Sequence, residues 1–386
     1  MNHPPARAVR LTERHPLRFV LAAFVLAVLG ADVGAVPESA SPAPEFRPAL
    51  PGYQFRFPRD HGTHDDFQTE WWYYTGHLKA RDGRTFGYQV TFFRRAAAHA
   101  AARNPSRWAL RHIYFAHFAV TDESGRRFRF SEKISRAGIG KAGAQAGRLA
   151  VWIDDWGAEA EEETHGIRAS DGGMALRLRL APEKPPVIHG AEGISRKGEA
   201  PGEASHYYSF SRMQTDGTLT LDGTTVPVTG ESWMDHEFGS NQLGEAQIGW
   251  DWFSLQMADR TELMIYRIRR RDGSIDAASG GTWIRTDGSS IPLAREAIAV
   301  TALDHWRSPQ SGALYPARWR ISVPSLGLAV EVTPTIPDQE LVTRASTQVT
   351  YWEGSVTVQG EREGRSVTGA GYAELTGYAA PLRGRP

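Results

Sequence analysis

Cysteine is absent from this 386-residue chain. Its absence excludes disulfides, Cys-based zinc sites and a lipid-modified N-terminal cysteine. A chain of this size can do without bridges because its core is large. An excess of one charge sign is missing too: 44 basic and 44 acidic residues give a formal net charge of +0. Neither nucleic acid nor an anionic membrane is favoured as a partner on that balance. Long amphipathic helical patterns are scarce; "RRAAAHAAARNPSRWA", Arg94 to Ala109, is the best candidate for one, or for a mobile loop. No G-x-S-x-G elbow or Walker loop occurs. "AGIGKAGAQAG", Ala137 to Gly147, lacks the strand–loop–helix context of a nucleotide site and reads as a flexible loop.

What is present is aromatic and alternating. The chain carries 12 Trp, 12 Tyr and 16 Phe, which must line a core, a pocket or an interface. From Tyr53 onward, runs such as "RTFGYQVTFF", "ALRLRLAP", "LMIYRIRRRDG" and "GSVTVQG" alternate apolar and polar residues, the period of half-buried strands. The turns "ARDGRT", "LDGTT", "RRDGS" and "RTDGSS" supply Asp-Gly pairs that tolerate the positive φ of tight hairpins. The pattern predicts an all-β, antiparallel protein built from barrels. An internal echo predicts two of them, with a boundary near Ser240–Gln247. At an ungapped offset of 178, Trp72 meets Trp250, Tyr74 meets Trp252, Tyr88 meets Tyr266 and Val90 meets Ile268.

The N-terminus has the order of an export signal: basic "MNHPPARAVRLTERHPLR", apolar "FVLAAFVLAVLGA", then small and Pro-rich "DVGAVPESASPAP". The apolar run is short for a transmembrane helix. Residues 1–35 are read as a signal peptide and 36–52 as a linker; an uncleaved anchor is the alternative. The expected location is periplasmic, free or membrane-associated.

Chemistry concentrates in two stretches. "PRDHGTHDDFQTEWWYYTGHL", Pro58 to Leu78, holds His61, His64 and Glu70. Without H-E-x-x-H or cysteine ligands, a His61–His64–carboxylate metal site is disfavoured and none is expected. Glu70 beside Trp71 and Trp72 is a candidate acid, since apolar rings raise a carboxyl pKa. "GESWMDHEFGS", Gly230 to Ser240, holds Trp233, Asp235 and His236. On an extended strand Asp235 and His236 face opposite sides unless a bulge intervenes. The plainer alternative is that both satisfy backbone groups. "GWDWFSLQ" then sets Asp251 on the face opposite Trp250 and Trp252, so that a barrel lumen receives either the aromatic pair or the carboxylate.

These two stretches, with "ALYPARWRISVP", "DQEL", "YWEGSVTVQG" and "GYAELTGY", resemble the carotenoid 1,2-hydratase and AttH-type lipocalin-like family from about Gly52 to Tyr378. The resemblance implies two consecutive calycin-like barrels, here 53–241 and 242–386. For activity it implies either of two things. One is hydration of a terminal alkene in an acyclic carotenoid without a redox cofactor or any other. The other, favoured by the export signal, is an AttH-type carrier of a lipid or isoprenoid serving an ABC transporter permease. Pericyclase-type enzymes share the fold, and a purely structural role is a third alternative. The implied acid and polar positions are Asp235, His236, Asp251 and Glu70; the implied ligand contacts are Trp71, Trp72, Tyr74, Trp233, Trp250 and Trp252.

N-terminal sequencing of envelope-fraction protein is expected to begin between Asp32 and Ser41. Intact Met1 in the cytosol would overturn the export assignment.

Overall fold

The computed structural model describes residues 46–97, 106, 109–241 and 243–382. The signal segment 1–35, the start of the 36–52 linker and most of the candidate helix after Ala97 lie outside the described residues. Arg94 to Ala96 themselves are strand, not helix.

Thirteen strands form a first antiparallel sheet. They are β1 (Thr69–Ala80), β2 (Thr85–Ala96), β3 (His112–Asp122), β4 (Arg127–Arg136), β5 (Ala142–Ala144), β6 (Ala150–Ile153), β7 (Trp156–Glu161), β8 (Thr164–Asp171), β9 (Met174–Pro182), β10 (Val187–Ile188), β11 (Ser195–Arg196), β12 (Ala204–Leu221) and β13 (Thr224–Asn241). The presumed flexible loop at Ala137–Gly147 therefore contains a paired strand, β5. Ten strands form a second sheet: β14 (Gln247–Met257), β15 (Glu262–Arg270), β16 (Gly280–Ile284), β17 (Ser290–Ala294), β18 (Ala299–Arg307), β19 (Leu314–Val323), β20 (Leu328–Pro334), β21 (Glu340–Val342), β22 (Thr350–Arg362) and β23 (Arg365–Leu375). Among the described residues the helical elements are three short 3-10 turns.

The strand orders repeat. In the first sheet the path runs β4-β3-β2-β1-β13-β12-β9-β8-β7, in the second β17-β16-β15-β14-β23-β22-β20-β19-β18. Each half pairs its first strand with its second and its last, which gives two barrel-like sheets of the lipocalin kind. The hairpin turns use the expected chemistry. Asp222 and Gly223 both take positive φ (52° and 76°) between β12 and β13, as a two-residue turn of the I′ type requires.

The proposed pairing of Trp72 with Trp250 does not hold. The turn-closing pairs Lys79–Thr85 and Gln256–Glu262 superimpose at an offset of 177, not 178. Because side chains alternate with period 2, that single residue inverts the faces. Trp72 and Tyr74 lie in the core of the first sheet, whereas Trp250 and Trp252 face outward toward it. At the corrected offset the position equivalent to Trp250 is Tyr73.

Each sheet encloses its own apolar core, and the outer faces of β1, β2, β12 and β13 pack against β14, β22 and β23. Those strands are consequently buried on both sides: the first ten residues of β12 and eight consecutive residues of β13 are all buried. Elsewhere, as in β9, burial alternates. Polar groups pin the two sheets together. Lys184 Nζ donates to both oxygens of Glu262 (2.9 and 2.7 Å), and Arg212 Nε donates to the same carboxylate at 2.7 Å. His77 donates to the Gly371 carbonyl at 2.9 Å. Close approach is possible because Gly87 lacks a side chain: a Cβ there would lie 2.6 Å from Tyr372 Oη and 2.7 Å from Ser355 Cβ.

Gly87→Val is expected to lose about 1–3 kcal/mol, the usual cost of overpacking, read as a lower midpoint in thermal or urea unfolding. Unchanged unfolding would mean that the sheets are not in tight contact at this point.

Candidate active site

A cavity of about 1070 Å³ lies between the two sheets, not in either barrel lumen. The expectation of a lumenal site is thereby corrected, for a packing reason: the interiors are filled by side chains such as Trp72, Trp156, Trp319 and Trp352. The strand registers order the walls by depth. On the first sheet, Thr69 and Arg95 are neighbours near the mouth, Trp71 and Phe93 come next, then Tyr73, Thr91 and Asp235, and finally Gln89. On the second sheet, Trp250 and Ile268 precede the row Tyr266–Trp252–Glu374–Glu353.

Asp235 sits on this wall and is buried. Trp233 Nε1 donates to Oδ1 at 2.6 Å, Tyr207 Oη donates to Oδ2 at 2.9 Å, and Ser209 Oγ donates to Oδ1. Ser209 is oriented in turn by His189 (2.7 Å), which is also bonded to Thr282 (2.9 Å). Burial pushes Asp235 up from 3.8 to about 7; the three donors pull against that, and Glu237 adds to it. Three donors aimed at one carboxyl favour its anion. Asp235 is thus a poised proton acceptor that ionises near neutrality.

Glu353 has a different environment. Tyr73 Oη donates to its Oε1 at 2.7 Å, while Oε2 is buried without a hydrogen-bond partner. Burial holds its pKa well above the ordinary range, and the nearby Glu374 and Asp235 add to that shift. Glu374 is its direct cross-strand neighbour and is pushed by burial up to about 7, against the pull of the Trp250 indole. Two carboxylates directly opposite each other on a sheet repel, so the pair retains a proton. Burial therefore favours the protonated form of Glu353, whose Oε2 is left without a hydrogen-bond partner beside the cavity.

The other faces of the same strands lead elsewhere. Trp72 pairs with His236 and Tyr73 with Asp235 in unbroken register, so no bulge brings Asp235 and His236 together. His236 points into the first sheet, where its Nε2 meets Glu70 Oε1 at 2.9 Å and its Nδ1 meets Tyr208 Oη at 3.1 Å. Glu70 also meets His64 Nδ1 at 2.8 Å and Arg94 Nε at 3.0 Å. Burial alone would raise Glu70, but Arg94, His236 and His64 hold it well below the usual carboxylate range. The expectation of a raised acid at Glu70 is corrected: a buried guanidinium outweighs the neighbouring tryptophans.

His64, Glu70 and His236 place ligand atoms within 4.8 Å of one another, a set that can hold a metal ion. His61 does not join it, being bonded to Tyr208 at 2.7 Å. The chemistry of the donor set argues against a metal. Burial lowers His64, but its bonds to Asp60 and Glu70 prevail and raise it, which works against freeing its lone pair for a metal. Arg94 already balances Glu70. The cluster is a closed ion network.

Of the anticipated residues, the structure brings Asp235, Trp71, Trp250 and Trp252 to one cavity, with Trp233 behind them against Trp252. Glu70, His236, Trp72 and Tyr74 share the interior face of β1 and β13. Asp251 is on the inner face of the second sheet, bonded to Arg269 (2.9 Å) and Tyr378 (3.0 Å). Tyr73, Tyr207, Glu353 and Glu374 were not anticipated. Glu353 in "YWEGS" and Glu374 in "YAELT" carry one usable signal, an acid set among aromatic and apolar neighbours.

The raised carboxyls have a measurable consequence. Unfolded, Asp235 and Glu374 titrate near 3.8 and 4.5; folded, they hold their protons to about 7. In that window the folded state binds more protons, so their contribution to stability falls as pH rises and levels off above it. Asp235→Asn does not titrate, so its unfolding free energy is expected to decline less than that of the wild type between about pH 4 and about pH 7. A difference that stays constant with pH would mean that Asp235 is not raised.

The AttH-like family model matches residues 48–378. A protein of Nitrosomonas europaea assigned to AttH has a crystal structure with a TM-score of 0.77 and 35% identity, covering 86% of this chain and 100% of that one. Among curated proteins, dehydratase asqC of Emericella nidulans is 21% identical over 248 residues, 62% of this chain and 66% of the relative. Kievitone hydratase of Fusarium solani subsp. phaseoli is 24% identical over 178 residues, 44% of this chain and 49% of the relative. Neither curated relative is matched along its whole length. A family match over nearly all of the described residues, on a fold of the same two-sheet design, carries one conclusion: the chain belongs to the AttH-like family.

Proposed function

We propose that the inter-sheet cavity is the active site of a hydro-lyase that adds water to, or removes it from, an unsaturated hydrophobic molecule. The observation that carries the reading is Glu353, a cavity-lining carboxyl that burial favours in its protonated form and whose Oε2 has no hydrogen-bond partner, across from a wall that presents Asp235. A simple carrier of apolar ligands has no use for buried carboxyls, which are costly to leave unpaired. The hydratase and dehydratase names of the two curated relatives support the same class.

In the hydration direction Glu353 protonates one alkene carbon. The positive charge left on the adjacent carbon is stabilised by the ring faces of Tyr73, Trp71 and Trp252. Asp235, anionic and held by its three donors, takes a proton from a water that attacks that carbon. Alkene and water give an alcohol, and the two carboxyls exchange one proton overall; dehydration is the reverse. Pairs of acids whose surroundings drive their pKa values apart are the usual basis of such a division. The acid role, which the family resemblance implied for Asp235 among other positions, fits Glu353 better.

The test begins with mass spectrometry of organic extracts from protein purified out of its own envelope. The recovered ligand, with lycopene and neurosporene beside it, is then incubated anaerobically in ¹⁸O-labelled water. Products gaining labelled water, or losing water, are expected. Glu353→Gln and Asp235→Asn are each expected to lower turnover by about 10²-fold or more while ligand still binds. Ligand retained unchanged, with no product from any candidate, would sink the hydro-lyase and favour the carrier reading: a lipid or isoprenoid shuttle for an ABC-type transporter.

A further inference from the structure

The cavity is chemically polarised along its length. Its deep end carries Asp235, Glu353 and Glu374, and its middle is aromatic. At the mouth, Arg95 at the end of β2 and Arg271 just beyond β15 lie on opposite walls. The third lining cation is committed: Lys197 pairs with Glu237 at 2.8 Å and lies over the rings of Tyr207 and Tyr266. Arg95 and Arg271, by contrast, form no ion pair with any carboxylate among the described residues. Arg95 is the informative one, being half-buried, paired with Thr69 on the neighbouring strand and one step along its face from the Trp71–Phe93 pair. A cation held partly out of water without a partner is costly to maintain, and a guanidinium presents a planar fork suited to a carboxylate or phosphate.

We propose that the substrate is an elongated amphipathic anion: an apolar body, an acidic group at one end that docks on Arg95 and Arg271, and its reacting bond deep in the cavity. The register sets its dimensions. Arg95 pairs with Thr69 and Asp235 with Tyr73, four residues further along β1, which is about 13 Å of strand. The acidic end and the reacting carbons therefore stand apart by roughly that distance. A long-chain or terpenoid acid meets the description; an acyclic hydrocarbon carotenoid does not. The inference rests on the cavity being the active site, yet it concerns recognition and is separable from turnover.

The probes are oleate and oleyl alcohol, titrated by quenching of the tryptophans that line the cavity. Wild-type protein is expected to bind the acid at least about tenfold more tightly than the alcohol at low salt, with the preference shrinking as salt rises. Arg95→Gln should remove most of that preference, and the double variant with Arg271→Gln the rest, with alcohol binding and thermal unfolding left near wild type. Asp235→Asn and Glu353→Gln should keep the acid preference even where turnover is lost. Equal binding of acid and alcohol, binding of neither, or a preference that survives in the double variant would overturn the proposal. Loss of turnover in the carboxyl variants bears only on the hydro-lyase.

Discussion

The constraint on which the rest of the molecule depends is that the central strands of both sheets have no solvent side where the sheets meet. One face of β1, β12 and β13 closes the core of the first sheet; the other meets the second sheet. Any residue placed there, polar or apolar, is removed from water. Apolar residues gain by burial at both faces. Polar ones survive only where a partner is supplied or where loss of charge is the purpose. The ion set of Lys184, Glu262 and Arg212 is the first case, as is Asp235 with its three donors; Glu353 is the second.

The contrast between Glu70 and Glu353 shows how far surroundings govern one functional group. Both are glutamates buried at the centre of the fold. Glu70 is reached by a guanidinium and two imidazoles and is held firmly ionised. Glu353 is reached by one tyrosine hydroxyl and faces other carboxyls, so it keeps its proton. Adjacent tryptophans, which mark both sequence stretches, do not distinguish these cases. What distinguishes them is Arg94, whose contact with Glu70 spans β1 and β2, against the absence of any cation bonded to Glu353 among the described residues.

How much was legible in the sequence follows from the range of the interactions. Strands and Asp-Gly turns are local, and the reading of two antiparallel all-β barrels agrees with the structure. That Trp250 and Trp252 share a face, and that Asp235 and His236 do not, was legible because alternation assigns faces within one strand. The echo between hairpins failed through one residue of offset, the smallest error that inverts a face. Glu353 and Glu374 were not legible, since their significance arises from β22 and β23 packing on β1. The bond from Tyr73 to Glu353 joins positions 280 residues apart. Strands buried on both sides also lose the alternation that marks a polar residue as misplaced, so an acid in "YWEGS" looks like an ordinary exposed position.

On the proposed hydro-lyase reading, placing the chemistry between the sheets couples it to their packing. Asp235 belongs to the first sheet and Glu353 to the second, so the distance between these two carboxyls is set by how closely the two halves approach. That approach is fixed by Gly87 against Tyr372 and Ser355, by Tyr73 reaching across to Glu353, and by the buried ion set around Glu262. A lumenal site would hold both groups on one continuous sheet, where register alone fixes their spacing. Here the spacing is a property of tertiary packing. Each half alone supplies only one of the two groups, and a shift of about 1 Å between reacting groups is enough to cost a factor of roughly 10² in rate. The same contacts that keep the sheets together thus set the spacing of the two carboxyls on which the proposed reaction depends.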